Sequence, residues 1–136
     1  MKRVSLTILV FVTSLIVISA CKKSNKIGTG GGNGGNATLL IIPEHHGQFV
    51  DTCRLYIKFG TLDAPANGVY DDSSSCVLND TAPVAVFPHL TKGIYYVYGI
   101  GFHALYTPPN VKGGGPITIS VDDTNTFYLP TYTYYP

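Results

Sequence analysis

The side chains best suited to chemistry are four histidines: His45, His46, His89 and His103. Imidazole, together with a carboxylate such as that of Glu44, is a suitable ligand for zinc or copper. Neighbouring residues on an extended chain point to opposite faces, so only one of His45 and His46 could join a more distant histidine. The alternative is a polar turn after Pro43. We favour the turn and predict neither a metal site nor a cofactor, with the histidines as weak candidates only.

Catalysis by a nucleophile or by an acid–base pair finds no support in the sequence. There is no G-x-S-x-G motif, and three of the serines form the run Ser73-Ser74-Ser75. The paired carboxylates Asp71-Asp72 and Asp122-Asp123 lie among turn-forming residues, which explains them without acid–base work. We therefore predict that the protein is not an enzyme.

Tyrosine is abundant, with ten residues in the chain. Aromatic rings near the C-terminus, together with a pair further upstream, could form a stacking surface for sugars or for a partner protein; they are Tyr132, Tyr134, Tyr135, Tyr96 and Tyr98. The alternative is that these tyrosines line a sheet face and keep their hydroxyl groups in water.

The N-terminus has the pattern of a secretory signal. Lys2 and Arg3 precede an uncharged apolar run over residues 4–20. The segment Ile18-Ser19-Ala20-Cys21 resembles the lipobox of bacterial lipoproteins, in which an aliphatic and two small residues precede a cysteine that becomes diacylated. The alternative is an uncleaved membrane anchor, since the run is only slightly shorter than the ~20 residues that span a bilayer.

The lipobox resemblance implies cleavage between Ala20 and Cys21 and a lipid on Cys21. Two acyl chains give stable membrane anchoring. Lys22 stands where an aspartate would resemble an inner-membrane retention signal, so we expect a lipoprotein of the cell envelope, in the outer membrane, on its periplasmic or its surface face.

A glycine-rich tether follows the cysteine, so we divide the chain into a signal peptide (residues 1–20), a lipidated tether (21–36) and one domain (37–136). A Gly-rich coil of this length has a reach of roughly 20 Å. From residue 36 onward there are four basic and eight acidic residues, a net charge of −4. Nucleic-acid binding needs a clustered basic face, so we exclude it.

Short apolar or alternating runs, separated by Gly, Pro, Asn and Asp, predict an all-β domain of six or seven strands. The alternation of Cys53, Leu55, Ile57 and Phe59 fixes one buried face. The predicted strands are residues 38–42, 53–59, 84–87, 94–102, 117–121 and 127–132, with a short edge strand near 76–78 inside an irregular stretch from 60 to 80. A single antiparallel β-sandwich would cover them.

Two parts of the domain resemble known proteins. Residues 87–98 resemble the F-x-x-L-x-x-G-x-Y-x-V signature of transthyretin-like (prealbumin), carboxypeptidase-regulatory-like sandwiches. Residues 44–46, 50–60 and 111–114 are similar to segments of small uncharacterised lipoproteins of the Bacteroidetes type. The resemblance implies a fold and an envelope location, but no activity. Asp80-Thr81-Ala82 also resembles a Bacteroidetes O-glycosylation motif, which would place a glycan on Thr81.

With Cys21 assigned to lipid, Cys53 and Cys76 remain as an even pair in an oxidising compartment. We predict a disulfide between them. The alternative is two buried thiols, because Cys53 shares its face with Leu55 and Ile57.

Two functions fit this architecture. The first, which we favour, is a structural or interaction module that presents a sheet edge or loops to another envelope protein. The second is a glycan-binding module that uses exposed tyrosines. Coplanar tyrosine rings beside a groove would favour the second.

Overall fold

The computed structural model describes residues 30–133, and every regular element in that range is a β-strand. The strands are β1 (Asn33–His45), β2 (Gln48–Phe49), β3 (Thr52–Phe59), β4 (Asp72–Ser75), β5 (Val77–Asn79), β6 (Ala82–Leu90), β7 (Gly93–Phe102), β8 (Asn110–Ile119) and β9 (Thr124–Thr133). Within the same range no helix has the length and hydropathy to cross a membrane. The all-β prediction is confirmed.

The strands form one hydrogen-bonded path in the order β4-β3-β7-β8-β9-β1-β6-β5, with β2 pairing β1. The path has two halves, β4-β3-β7-β8 and β9-β1-β6-β5, joined by only two residue pairs between β8 and β9, Val111 with Thr133 and Lys112 with Tyr132. At the other side β4 approaches β6, where Ser74 Oγ accepts a hydrogen bond from the Val86 N–H at 3.3 Å. The sheet therefore curls into a nearly closed cylinder.

The predicted antiparallel sandwich is not confirmed in this form. The two halves belong to one continuous path, and β9 runs parallel to β1 from Thr38 with Thr124 to His45 with Thr131. The reason lies in the turn after β8. At that turn β9 separates from β8 and pairs with β1 from its first residue, so that it meets β8 again only at the far end.

The core lies between the halves and follows the predicted alternation. Leu55 and Ile57 of β3 are fully buried, whereas Tyr56 between them lies on the outer side. Partners from the opposite half include Leu39 and Ile41 of β1. Apolar burial of this kind is the main favourable term in folding.

Several strand bounds differ from the prediction. Two prolines expected to end strands lie inside them: Pro43 is in β1 and Pro88 in β6. Pairing of β1 with β6 stops at Ile41, and Pro88 lies at an irregularity in the same ladder, so neither missing N–H removes a regular hydrogen bond there. Residues 72–75 and 113–115, expected in loops, are strand residues of β4 and β8 because each has a neighbouring strand to pair with.

The last part of the predicted tether belongs to the folded unit. The Tyr95 hydroxyl, on a fully buried side chain, donates to the Gly32 carbonyl at 3.2 Å, and Thr91 N–H donates to the same carbonyl at 2.8 Å. A Cβ on Gly93 would clash with the backbone of Gly30. Gly31, where a Cβ would meet the Ile94 carbonyl oxygen, and Gly93 thus allow two backbones to approach closely. Strand β1 begins at Asn33, within the segment predicted as tether.

Candidate functional site

Two tyrosines lie opposite each other on the outer face of the β3–β7 pair. Tyr56 and Tyr98 are register partners, and their ring centroids are 6.4 Å apart. Alternation places them outside because their neighbours Leu55, Ile57 and Val97 fill the core. Cross-strand aromatic pairs of this kind stabilise a sheet.

A third ring, Tyr70, reaches this face from the loop between β3 and β4. Its centroid is 5.6 Å from that of Tyr56 and 6.0 Å from that of Tyr98, and its plane lies within 17° of the Tyr98 plane. The loop is shaped by a Gly68 N–H bond to the Pro65 carbonyl at 2.9 Å and by Asn67 Oδ1, which accepts from the Val69 N–H at 3.0 Å. Tyr56, Tyr70 and Tyr98 form what we call the tyrosine trio.

Asp71 fastens this loop to β3. Its Oδ1 lies 2.8 Å from Lys58 Nζ, its Oδ2 accepts from the Phe59 N–H at 2.7 Å, and its own N–H donates to the Ile57 carbonyl at 2.9 Å. Burial raises the pKa of the Asp71 carboxyl, but the hydrogen bonds from Lys58 and Phe59 outweigh burial, so the pKa is lowered overall. Asp71 therefore stays ionised at neutral pH.

An open cleft of about 440 Å³ lies beside the trio, lined by Tyr56, Gly68, Tyr70, Asp71, Asp72 and Ser73. Its volume falls in the range of about 300–1,000 Å³ that is usual for small-molecule sites. We call it the tyrosine cleft. Arg54 borders it: its Nη2 donates to Ser73 Oγ at 3.0 Å, and its guanidinium carbon lies 5.9 Å from the centre of the Tyr56 ring.

The hydroxyl group of Tyr70 stays protonated at physiological pH. Burial raises the pKa of Tyr70, and the nearby phenols of Tyr96 and Tyr98 raise it further. A neutral phenol can both donate and accept a hydrogen bond. The cleft thus offers aromatic faces, hydroxyls and carboxylates side by side.

The structure brings together only part of the tyrosine set considered from the sequence. Tyr98 belongs to the trio, and Tyr96 lies close enough to raise the pKa of Tyr70. Tyr132 is 67% exposed on β9, away from the cleft lining, and Tyr134 and Tyr135 lie outside the described residues. Sequence reasoning missed Tyr56 as a site residue. Its place between Leu55 and Ile57 in an alternating strand is the signal that marks it as facing outward.

Cys53 and Cys76 form a disulfide in the structure, with their Cα atoms 5.2 Å apart, within the usual range of about 4.4–6.8 Å. The Cys76 N–H also donates to the Cys53 carbonyl at 2.9 Å. The bond closes the segment that carries five of the six cleft residues, because Gly68, Tyr70, Asp71, Asp72 and Ser73 all lie between the two cysteines.

A second aromatic cluster lies at the C-terminal end of β1. His45 is fully buried there, and its ring centroid is 4.4 Å from that of His46, 5.6 Å from that of His103 and 4.3 Å from that of Tyr106. The sequence argument that His45 and His46 point apart is wrong here, because β1 ends at His45 and His46 takes a left-handed backbone conformation, with φ of 51°. We call these four residues the histidine–tyrosine cluster.

The cluster does not have the geometry of a metal centre. Among the described residues, no group of three or more His, Cys, Asp or Glu side chains could hold a metal ion. His89 is not part of the cluster; it is exposed near the end of β6.

Of the remaining predicted positions, one lies in an exposed turn and the others lie outside the described residues. Thr81 is exposed in the turn between β5 and β6. Ala20 and Cys21, with the whole signal peptide, lie outside the described residues.

No protein-family model, no curated protein and no solved structure matches this chain. The likenesses to transthyretin-like sandwiches and to Bacteroidetes-type lipoproteins therefore stay predictions from the sequence.

Proposed function

We propose that this domain is a non-catalytic carbohydrate-binding module carried at the cell envelope by a lipid anchor. The observation that supports it best is the tyrosine trio beside an open cleft that Asp71, Asp72 and Ser73 also line. Coplanar tyrosine rings beside a groove would favour glycan binding over protein interaction, and in the trio the rings of Tyr70 and Tyr98 lie within 17° of each other while that of Tyr56 is tilted.

The chemistry of the cleft matches that of a sugar ring. A pyranose has a face of C–H groups, which packs on aromatic rings, and a rim of hydroxyls, which donate to carboxylates and exchange hydrogen bonds with phenols. Hydrogen bonds to an ionised acceptor are about twice as strong as neutral ones. Tyr56 and Tyr70 would take the apolar face, and Asp72 and Ser73 the hydroxyls.

The cleft wall is held in place before any ligand arrives. Tyr70 packs on both other rings, and Asp71 joins its loop to β3 through a salt bridge and two backbone hydrogen bonds. Ordering a loop on binding reduces affinity, so a wall fixed in advance favours recognition of small, weakly binding ligands such as sugars.

A glycan array tests the binding function. We expect the wild-type domain to bind a subset of neutral oligosaccharides, and Tyr70→Ala to weaken binding of the best array member about two- to tenfold by calorimetry. Contacts between aromatic rings are worth about 0.5–1.5 kcal/mol, and 1.4 kcal/mol corresponds to a tenfold change in affinity. Tyr132→Ala is the matched control: it removes an exposed tyrosine outside the cleft lining. An array without any bound glycan, or equal losses in both variants, would contradict the proposal.

The lipid anchor is supported by residues 18–21 and has its own test. In a host with a lipoprotein pathway, full-length Cys21→Ser should carry no acyl chains and differ from the wild type in processing and in mass, because it has no thiol to receive them. Processing and membrane partitioning equal to those of the wild type would rule the anchor out.

A second candidate function is docking of another envelope protein along β5. This strand ends the hydrogen-bonded path, and its Val77 and Leu78 side chains are 70% and 72% exposed. An open strand edge with apolar side chains suits the addition of an extended peptide. If β5 and not the cleft carries the function, Leu78→Lys should abolish crosslinking to neighbours in native membranes while Tyr70→Ala leaves it unchanged.

A further inference from the structure

The histidine–tyrosine cluster joins two separate parts of the chain. His45 is the last residue of β1 and His46 follows it, whereas His103 and Tyr106 come from the loop of residues 103–109 between β7 and β8. Tyr106 lies 4.3 Å from His45, 5.5 Å from His46 and 4.6 Å from His103, centroid to centroid. Its ring therefore touches all three imidazoles and holds the loop against the β1–β2 turn.

Burial makes this contact sensitive to charge. His45 is fully buried and His103 is only 2% exposed. Within the described part of the chain, the buried His103 Nδ1 has no hydrogen-bond partner. A buried polar nitrogen without a partner costs free energy.

The groups around His45 oppose its protonation. Burial lowers the pKa of His45, and the positive charges that His46 and His103 can carry lower it further. Two carboxylates belong to the adjoining segments, those of Glu44 and Asp51. By strand alternation Glu44 lies on the other face of β1, with its carbonyl accepting from Thr131 Oγ1, while Asp51, on the connection to β3, accepts from the Ala104 N–H at 2.7 Å.

The neighbouring strands β8 and β9 carry a cation and a phenol near this end of β1. Strand β9 contributes Thr131 opposite His45, and the outward-facing Lys112 and Tyr132 on β8 and β9 are both exposed.

We infer that the histidine–tyrosine cluster is a pH-sensitive contact, which keeps the 103–109 loop closed on the β1–β2 turn at neutral pH and releases it in mild acid. In the closed state the imidazole of His45 is held neutral, whereas an imidazole exposed to water titrates near pH 6.5. As the pH falls below about 6.5, the open state takes up more protons than the closed state, so acid favours opening.

Hydrogen exchange read by mass spectrometry on the full-length protein tests this inference. After correction for the intrinsic pH dependence of exchange, amides of residues 103–107 should exchange at least threefold faster at pH 5.5 than at pH 7.5. Amides in the middle of β7 should not change. Equal corrected rates at the two pH values would overturn the inference.

Matched variants separate the cluster from general acid sensitivity. His45→Phe keeps an aromatic ring without a titrating nitrogen and should remove the acid effect on residues 103–107. His89→Asn removes an exposed imidazole outside the cluster, at a position with φ of 59° that asparagine tolerates, and should leave the effect intact. Loss of the effect in His89→Asn would overturn the inference. Should His45→Phe not fold, an NMR titration of His45 in the wild type decides: a midpoint below 6.5 supports the inference and one at or above 6.5 overturns it.

Discussion

The tyrosine cleft and the histidine–tyrosine cluster are both built from aromatic side chains, yet they meet solvent in opposite ways. The cleft is open and carries two carboxylates, and its rings lie on the outer face of a regular strand pair. The cluster closes around buried imidazoles where β1 ends. Burial next to like charges suits a group whose protonation changes a contact, whereas fixed charge at an open surface suits ligand binding.

The two regions also differ in how the chain holds them. The cleft wall is held by a covalent bond, a salt bridge and strand pairing. Besides ring contacts, the 103–109 loop has backbone bonds such as His103 N–H to the Pro109 carbonyl at 2.8 Å. We therefore expect the cleft to keep its shape over a range of pH, and the loop to respond to it.

Among the changes that distinguish the tyrosine cleft from the histidine–tyrosine cluster, removal of the Cys53–Cys76 disulfide should have the largest effect. Replacing both Cys53 and Cys76 by serine removes closure of a loop of about 24 residues, which lowers the free energy of unfolding by roughly 3 kcal/mol in the chain-entropy model. Urea titration of wild type and double variant measures this. Because the bond closes the cleft segment, affinity for the best array glycan should fall as well.

The 103–109 loop provides the internal control for this variant. No residue of the histidine–tyrosine cluster lies between the two cysteines, so the acid-dependent exchange of the loop should persist in the double serine variant under conditions where it is folded. Unchanged stability together with unchanged glycan affinity would show that the cleft does not depend on the disulfide.

The cleft and the cluster could be predicted from the sequence to different degrees, for physical reasons. Alternation in residues 53–59 identifies Leu55 and Ile57 as core and so leaves Tyr56 outside. It cannot place Tyr70, because the loop that carries it is positioned by Asp71 and its bonds to Lys58 and Phe59, which join residues 12 or more positions apart. The part of the cleft that lies on β3 can therefore be predicted from the sequence, whereas the part that lies on the loop cannot.

The histidine–tyrosine cluster could not be predicted from the sequence, for a different reason. The alternation rule assumes a continuing strand, and a single left-handed residue at His46 ends it. The same limit applies to Pro43 and Pro88, since whether a proline ends a strand depends on whether a neighbour needs its N–H, and that is a property of the assembled sheet. The alternation of apolar residues predicts which side chains are buried. Where a strand ends depends on its pairing with neighbouring strands in the folded sheet.

The smallest effect should come from the salt bridge that fixes the cleft loop. Asp71→Asn should lower the free energy of unfolding at pH 7 by about 0.5–1 kcal/mol, since the pair is about 30% exposed and screened by solvent. Asp122→Asn, which removes a more exposed bridge to Lys92 without a backbone N–H bond to the lost carboxylate, is the matched control and should cost less.

The loss of unfolding free energy caused by Asp71→Asn should depend on pH. The folded-state pKa of Asp71 is lowered, so its contribution is present above the unfolded-state value of about 3.9 and is lost as the pH falls through the folded-state value. The difference between wild type and Asp71→Asn should therefore be constant from pH 7 to pH 5 and shrink in stronger acid. A difference that already disappears between pH 6.5 and pH 5, where the His45 contact should respond, would mean that the two regions are coupled rather than independent.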